Sequence, residues 1–125
     1  MVDGNKKIIH FYDLRVWQEG HRLVLLTYKL VGGLPEKEKF ILIPQMLRAA
    51  ISITSNVAEG FGRRSLKEKT QFYYIAKASL VELQNQYFIA RDMKYLSDNE
   101  FENVWDQSVV VHKMLNALIT SINNK

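Results

Sequence analysis

Arg48, Ser52, Ser55, Asn56 and Glu59 recur at spacings of three and four, so on a helix they share one polar face. Lys77, Ser79, Glu82 and Gln86 offer a second polar set further along the chain. Two chemistries fit such groups. Glu59 and Glu82 can serve as a general acid/base pair or as metal ligands, or the whole set can bond to itself inside a helix contact. The second reading has a strong driving force, because a buried polar group left unmet costs roughly 1 to 3 kcal/mol. No histidine stands at ligand spacing from either glutamate and no nucleophile is marked, which favours the structural network. His10, His21 and His112 form no His-x-x-x-His or Glu-x-x-His pair, and the chain has neither a Walker loop nor a nucleophile elbow. With no cysteine, a thiolate metal site and a disulfide are both excluded.

Gly60-Phe61-Gly62-Arg63-Arg64-Ser65 suits a different chemistry. Its glycines read as a helix stop and Ser65 as the cap of the next helix. The free N–H groups opening that helix would then lie beside two guanidinium groups, an arrangement suited to phosphate. The preceding helix C-terminus opposes the same anion with its partial negative charge. A backbone contact to RNA or DNA is therefore the expectation, without sequence readout. Arg63, Arg64, Lys67, Lys69 and Lys77 face only Glu68 between positions 63 and 77. Net charge is +4, and it is unevenly spread: residues 44–96 hold eight Lys/Arg against four Asp/Glu, whereas residues 97–125 hold two against four. Such a patch attracts nucleic acid or an acidic partner surface; the plainer alternative is a solvated helix face.

The elements that must carry these groups are helical. Gly32-Gly33-Leu34-Pro35 closes a first helix, Gly60-Phe61-Gly62 a second, and two Ser-x-x-Glu boxes, Ser65 with Glu68 and Ser97 with Glu100, open a third and a fourth. Pro44 suits the first turn of the second helix, and residues 36–43 suit a short helical turn. Apolar stripes follow: Leu14, Trp17, His21, Val24, Tyr28 and Val31 in the first helix; Met46, Ala50, Ile53 and Val57 in the second. The third has Phe72, Ala76, Ser79, Leu83, Gln86, Ala90 and Met93, and the fourth Phe101, Val104, Ser108, Val111, Leu115, Leu118 and Ile122. Short links imply antiparallel neighbours, so the expected fold is all-α, an antiparallel up-and-down four-helix bundle forming one domain over residues 1–125, with 1–12 as an N-terminal arm. Tyr73, Tyr74, Ile75, Leu80, Tyr87, Phe88 and Ile89 spread around more of the third helix than one seam covers, so that helix is either central or meets another subunit. No apolar run suits a signal peptide or a membrane span, and the expected location is cytoplasmic.

Three blocks carry a family resemblance: Phe11-x-Asp13-Leu14-x-Val16-Trp17; Gln45-Met46-Leu47-Arg48-Ala49-Ala50-x-Ser52-Ile53-x-Ser55-Asn56-Val57-Ala58-Glu59-Gly60; and Phe72-x-x-Ile75-Ala76-x-Ala78-Ser79-x-x-Glu82-Leu83. Together they resemble the 23S rRNA intervening sequence proteins, also labelled S23 ribosomal proteins, over almost the entire chain. Where that family often has a Tyr-Gly-Leu-Thr-like segment, this chain has Phe40-Ile41-Leu42-Ile43-Pro44. The resemblance implies an up-and-down bundle, commonly a ring-shaped homopentamer, with no cofactor and no demonstrated catalysis. It makes Arg48, Ser52, Asn56, Glu59 and Glu82 the family-type positions, for packing or assembly. The accessory protein of diversity-generating retroelements is similar in fold, forms a basic pentamer, and binds nucleic acid and a reverse transcriptase.

These readings lead to a non-enzymatic homo-oligomer, a pentamer, whose basic surface made of Arg63, Arg64, Lys67, Lys69 and Lys77 recruits RNA or DNA backbone or a nucleic-acid-associated protein. The alternative is a protein–protein scaffold with no nucleic-acid role. An enzyme using Glu59 and Glu82 with a bound metal ranks last.

Overall fold

The computed structural model describes residues 2–3 and 6–125, with side chains from Lys7 onward. Four helices dominate it: α1 (Arg15–Val31), α2 (Leu42–Phe61), α3 (Leu66–Asp92) and α4 (Asp98–Asn123). Each packs against its sequence neighbours and α1 closes against α4, so α1 and α3 sit diagonally across an antiparallel square. Met1, Gly4 and Asn5 of the expected arm lie outside the described residues. The rest of the arm is more ordered than a tail: Val2–Asp3 pairs antiparallel with Lys6–Lys7, and a 3-10 turn covers Phe11–Asp13. Asp13 accepts the amides of Ile9 and His10 at 3.1 and 2.9 Å, and Phe11 meets the Trp17 ring edge-on at 5.4 Å. These bonds tie the arm to the start of α1.

Local chemistry sets the helix ends. The Ser65 hydroxyl accepts from the Glu68 amide at 3.1 Å; at Ser97 the box is reciprocal, with Glu100 also accepting from the Ser97 amide at 2.9 Å. Pro44 occupies the first turn of α2, and a short 3-10 turn spans Glu36–Glu38. The C-terminal glycines Gly32 and Gly62 are right-handed. Among the described residues only Lys94, just past α3, is a left-handed non-glycine residue, with φ 65.

The expected stripes hold for α2 and α4 and shift for α1. Met46, Ala50, Ile53 and Val57 are all buried, as are Val104, Ser108, Val111, Leu115 and Ile122. In α1 the expected Leu14, Val24 and Val31 are buried, but Val16, Gly20, Leu23, Thr27 and Leu30 make up the rest of the inward face; Trp17 is half-buried, and His21 and Tyr28 are exposed. Small and polar residues hid this face. Gly20 lets α1 approach α2 so closely that an added Cβ would lie 3.1 Å from Thr54 Cγ2. The Thr27 hydroxyl is satisfied inside the core, donating to Leu23 O at 2.8 Å with Tyr87 OH 2.6 Å away.

In α3, Tyr73, Leu80 and Tyr87 from the wider apolar set are core residues, while Tyr74, Ile75, Phe88 and Ile89 are exposed, and so is Met93 from the expected stripe. Burial pushes the Tyr73 phenol up to about 12, and raises the Tyr87 phenol further still against the opposing effect of its Thr27 bond.

Candidate nucleic-acid interface

The polar face divides into a part-buried bond network and a solvated row. Ser52 Oγ and Ser79 Oγ lie 2.8 Å apart and join α2 to α3; the Asn56 amide donates to Ser52 O at 2.8 Å and to Ser52 Oγ at 2.9 Å. Arg48, Ser55, Glu59 and Glu82 are exposed. Glu59 pairs with Arg63 at 3.4 Å, and Glu82 accepts from Gln86 Nε2 at 3.3 Å. Since Ser52 faces Ser79 on antiparallel helices, Glu82 stands level with Ala49, ten residues from Glu59 and so about 15 Å along the axis. The two glutamates are not brought together as an acid/base pair. Among the described residues no group of three His, Cys, Asp or Glu side chains is placed to hold a metal ion. His10 stacks on Tyr12 and His21 on Trp17, while His112 Nε2 and Gln86 Oε1 are buried without a hydrogen-bond partner.

The basic residues gather where α2 ends and α3 begins, but in different roles. Lys69 turns inward: its Nζ donates to Phe61 O at 2.6 Å and Gly60 O at 3.3 Å and lies 5.4 Å from the Phe61 ring centroid. It thereby satisfies the Phe61 carbonyl at the C-terminus of α2 and adds to the Arg63 amide already on Gly60 O. Burial first, and then repulsion from Lys125, lowers its pKa below 10.5. Arg63 lies with its guanidinium 4.7 Å over the Phe72 ring, still exposed on its outer side. Arg64 and Lys67 are exposed, and Lys77 is half-buried ten residues, about 15 Å, beyond Lys67 on α3.

Two open grooves flank this end. One, about 680 Å³, runs past Phe11, Ser55, Glu59, Gly62 and Arg63. The other, about 450 Å³, lies between α3 and the end of α4, past Lys67, Thr70, Gln71, Tyr74 and Lys125. Lys125 is a basic contributor that local spacing misses. The antiparallel order is the signal for it, because the end of α4 must return beside the start of α3.

Gly60 fixes the geometry of the junction. A Cβ there would fall 2.6 Å from Tyr73 Cε1 and 3.0 Å from Phe72 Cβ, so the glycine allows α2 and α3 to meet just below the cations.

No curated protein matches the chain. Among solved structures, a protein of unknown function from the S23 ribosomal protein family of Bacteroides thetaiotaomicron shares the fold at a TM-score of 0.78 and 21% identity, covering 84% of this chain and 95% of that one. The profile of the 23S rRNA-intervening sequence proteins matches residues 12–117, spanning all three motif blocks but the first residue of the first, Phe11, and on that match the chain belongs to the 23S rRNA-intervening sequence protein family.

Proposed function

We propose that this chain is a non-enzymatic, homo-oligomeric interaction protein of the cytoplasm, a pentamer, whose basic end holds RNA through its phosphate backbone. The observation that carries the binding half is the division of labour at the α2–α3 junction. Lys69 fills the carbonyls of α2, which offsets the negative helix end that would repel a phosphate. Arg63, Arg64 and Lys67 then stand outward at the opening of α3. The pentamer rests on the family resemblance of the motif blocks. Repetition of the patch around a ring turns weak contacts into a salt-sensitive avidity.

The test is a gel-shift titration with structured RNA at two salt concentrations, comparing the wild type with Arg63→Gln/Arg64→Gln/Lys67→Gln. Loss of three cations is expected to weaken binding and to flatten the salt dependence by roughly 2 to 3 log units per log of salt; an unchanged slope rejects the patch. Lys69 stays intact in this variant because its removal would uncap α2. A scaffold without nucleic acid is the second reading, favoured by one cluster: Phe88, Phe101 and Trp105 on the α3/α4 surface, with the Arg91 guanidinium 4.7 and 4.8 Å from the first two rings.

A further inference from the structure

Two apolar stripes remain outside the core, on opposite sides of the square. On the α1/α2 side, Leu25 and Tyr28 are 56% and 50% exposed, next to Trp17, His21 and Ile51. On the α3/α4 side, Tyr74 and Val81 are 49% and 51% exposed, next to Phe88 and Trp105. The α3 stripe repeats every seven residues, at 74, 81 and 88, the period that keeps a seam facing a partner helix, while on α1 the exposed residues His21, Leu25 and Tyr28 follow at spacings of four and three. They also stand at the same height. The Thr27–Tyr87 bond joins the diagonal helices, which run parallel, so Tyr28 is level with Phe88 and His21 with Val81. The Ser52–Ser79 bond likewise sets Ile51 level with Leu80 and Val81.

The flanking charges are opposite in sign. Arg22 and Lys29, seven residues apart, run along the outer edge of α1, whereas Glu102 and Asp106, four apart, run along the outer edge of α4. A groove lined by Lys29 and Leu30 on one side and Asn99, Glu100 and Asn103 on the other fixes the relative height of these helices. Lys29 is therefore close to the level of Glu102, and Arg22 stands within about one helical turn of Asp106.

We infer that a second copy of this chain covers these faces by a heterologous contact, in which the α1/α2 side of one protomer lies on the α3/α4 side of the next. Because neighbours run round the square in the order α1, α2, α3, α4, such side-by-side docking sets α1 against the neighbour's α4 and α2 against its α3. The basic edge of α1 then meets the acidic edge of α4, and equal heights bring the two exposed stripes into register. A contact between two different faces leaves one of each free on a dimer, so it propagates until rotation closes a ring. This inference rests on the homo-oligomer proposed above and names the surfaces that build it.

The test uses purified full chain without RNA, so its outcome is separate from that of the gel shift. Light scattering is expected to give a multiple of 14.6 kDa for the wild type. Leu25→Glu/Tyr28→Glu should give 14.6 kDa, and so should Tyr74→Glu/Val81→Glu, each with an unchanged helical circular dichroism spectrum. Mixed in equal amounts, the two variants should form a 1:1 dimer that grows no further, since each keeps the one face the other lacks. A monomeric wild type, an assembly that survives either variant, or a mixture that stays monomeric overturns the heterologous contact. As a second measure, Arg22→Glu/Lys29→Glu mixed with Glu102→Lys/Asp106→Lys should associate more tightly than either alone; no gain overturns the charge match.

Discussion

At the scale of single residues, two helix ends are held by opposite means. Lys94 closes α3 in the left-handed region, where a side chain costs roughly 1 to 2 kcal/mol, while the Tyr95 amide reaches back to Ala90 O at 2.9 Å. Lys94→Gly is therefore expected to raise stability by about 1 kcal/mol, read as a higher denaturation midpoint with an unchanged slope. Ser97 opens α4 with bonds that hold the Glu100 carboxyl below 4.5, the backbone amide first and the hydroxyl second. A depressed folded-state pKa means that this stabilisation is present above pH 4.5 and fades as pH falls through the lower folded value. Glu100→Gln should remove that part of the acid limb of a stability profile. Ser97→Ala, costing about 1 kcal/mol as a lost N-cap, should return the Glu100 pKa only part-way because the amide bond remains.

At the scale of elements, the α2/α3 contact is the closest in the bundle and combines a glycine approach with a polar clasp. Ser52→Ala leaves the Ser79 hydroxyl unmet and takes one acceptor from the Asn56 amide, so it should cost about 1 to 2 kcal/mol, whereas Ser79→Ala should cost less because Ser52 Oγ keeps its bond from Asn56. The double variant should cost less than the sum, as a double-mutant cycle in denaturant would read. The four helices, the Ser65 and Ser97 caps and most of the stripes of α2, α3 and α4 were legible in the sequence because glycine, proline and Ser-x-x-Glu signals are local. The inner face of α1 was legible only at Leu14, Val24 and Val31: its other contact residues include Gly20 and Thr27, whose fitness for a core depends on Thr54 and Tyr87 in other helices. Trp17, His21 and Tyr28 are larger and equally periodic, yet Trp17 packs only at the margin of the core and His21 and Tyr28 face outward. At the basic site, spacing placed Arg63, Arg64, Lys67 and Lys69 at one junction, but only the tertiary arrangement distinguishes the inward Lys69 from its outward neighbours.

At the scale of the whole molecule, where the charge sits matters more than how much there is. Take residues 11–125 and divide the bundle across its middle, with 11–20, 52–79 and 108–125 on the α2–α3 side. That half holds eight Lys/Arg against four Asp/Glu, and the other seven against eight. The two longest helices, α3 and α4, are about 40 Å long, several times the screening length of roughly 8 Å at physiological salt, so an RNA at one end barely senses the other. In a cyclic ring whose protomers stand along the axis, every basic end would emerge on the same rim, with the outer faces of Arg63, Arg64 and Lys67 repeated around it. Charge location and net charge can therefore be separated. Glu36→Gln/Asp92→Asn/Asp98→Asn alters the far end and raises net charge from +4 to +7, yet RNA affinity should stay within about twofold. Neutralising Arg63, Arg64 and Lys67 lowers net charge to +1 by the same three steps and should cost well over tenfold. Equal and opposite effects from the two triple variants would mean that RNA responds to the molecule's total field and that the α2–α3 end has no special part in binding.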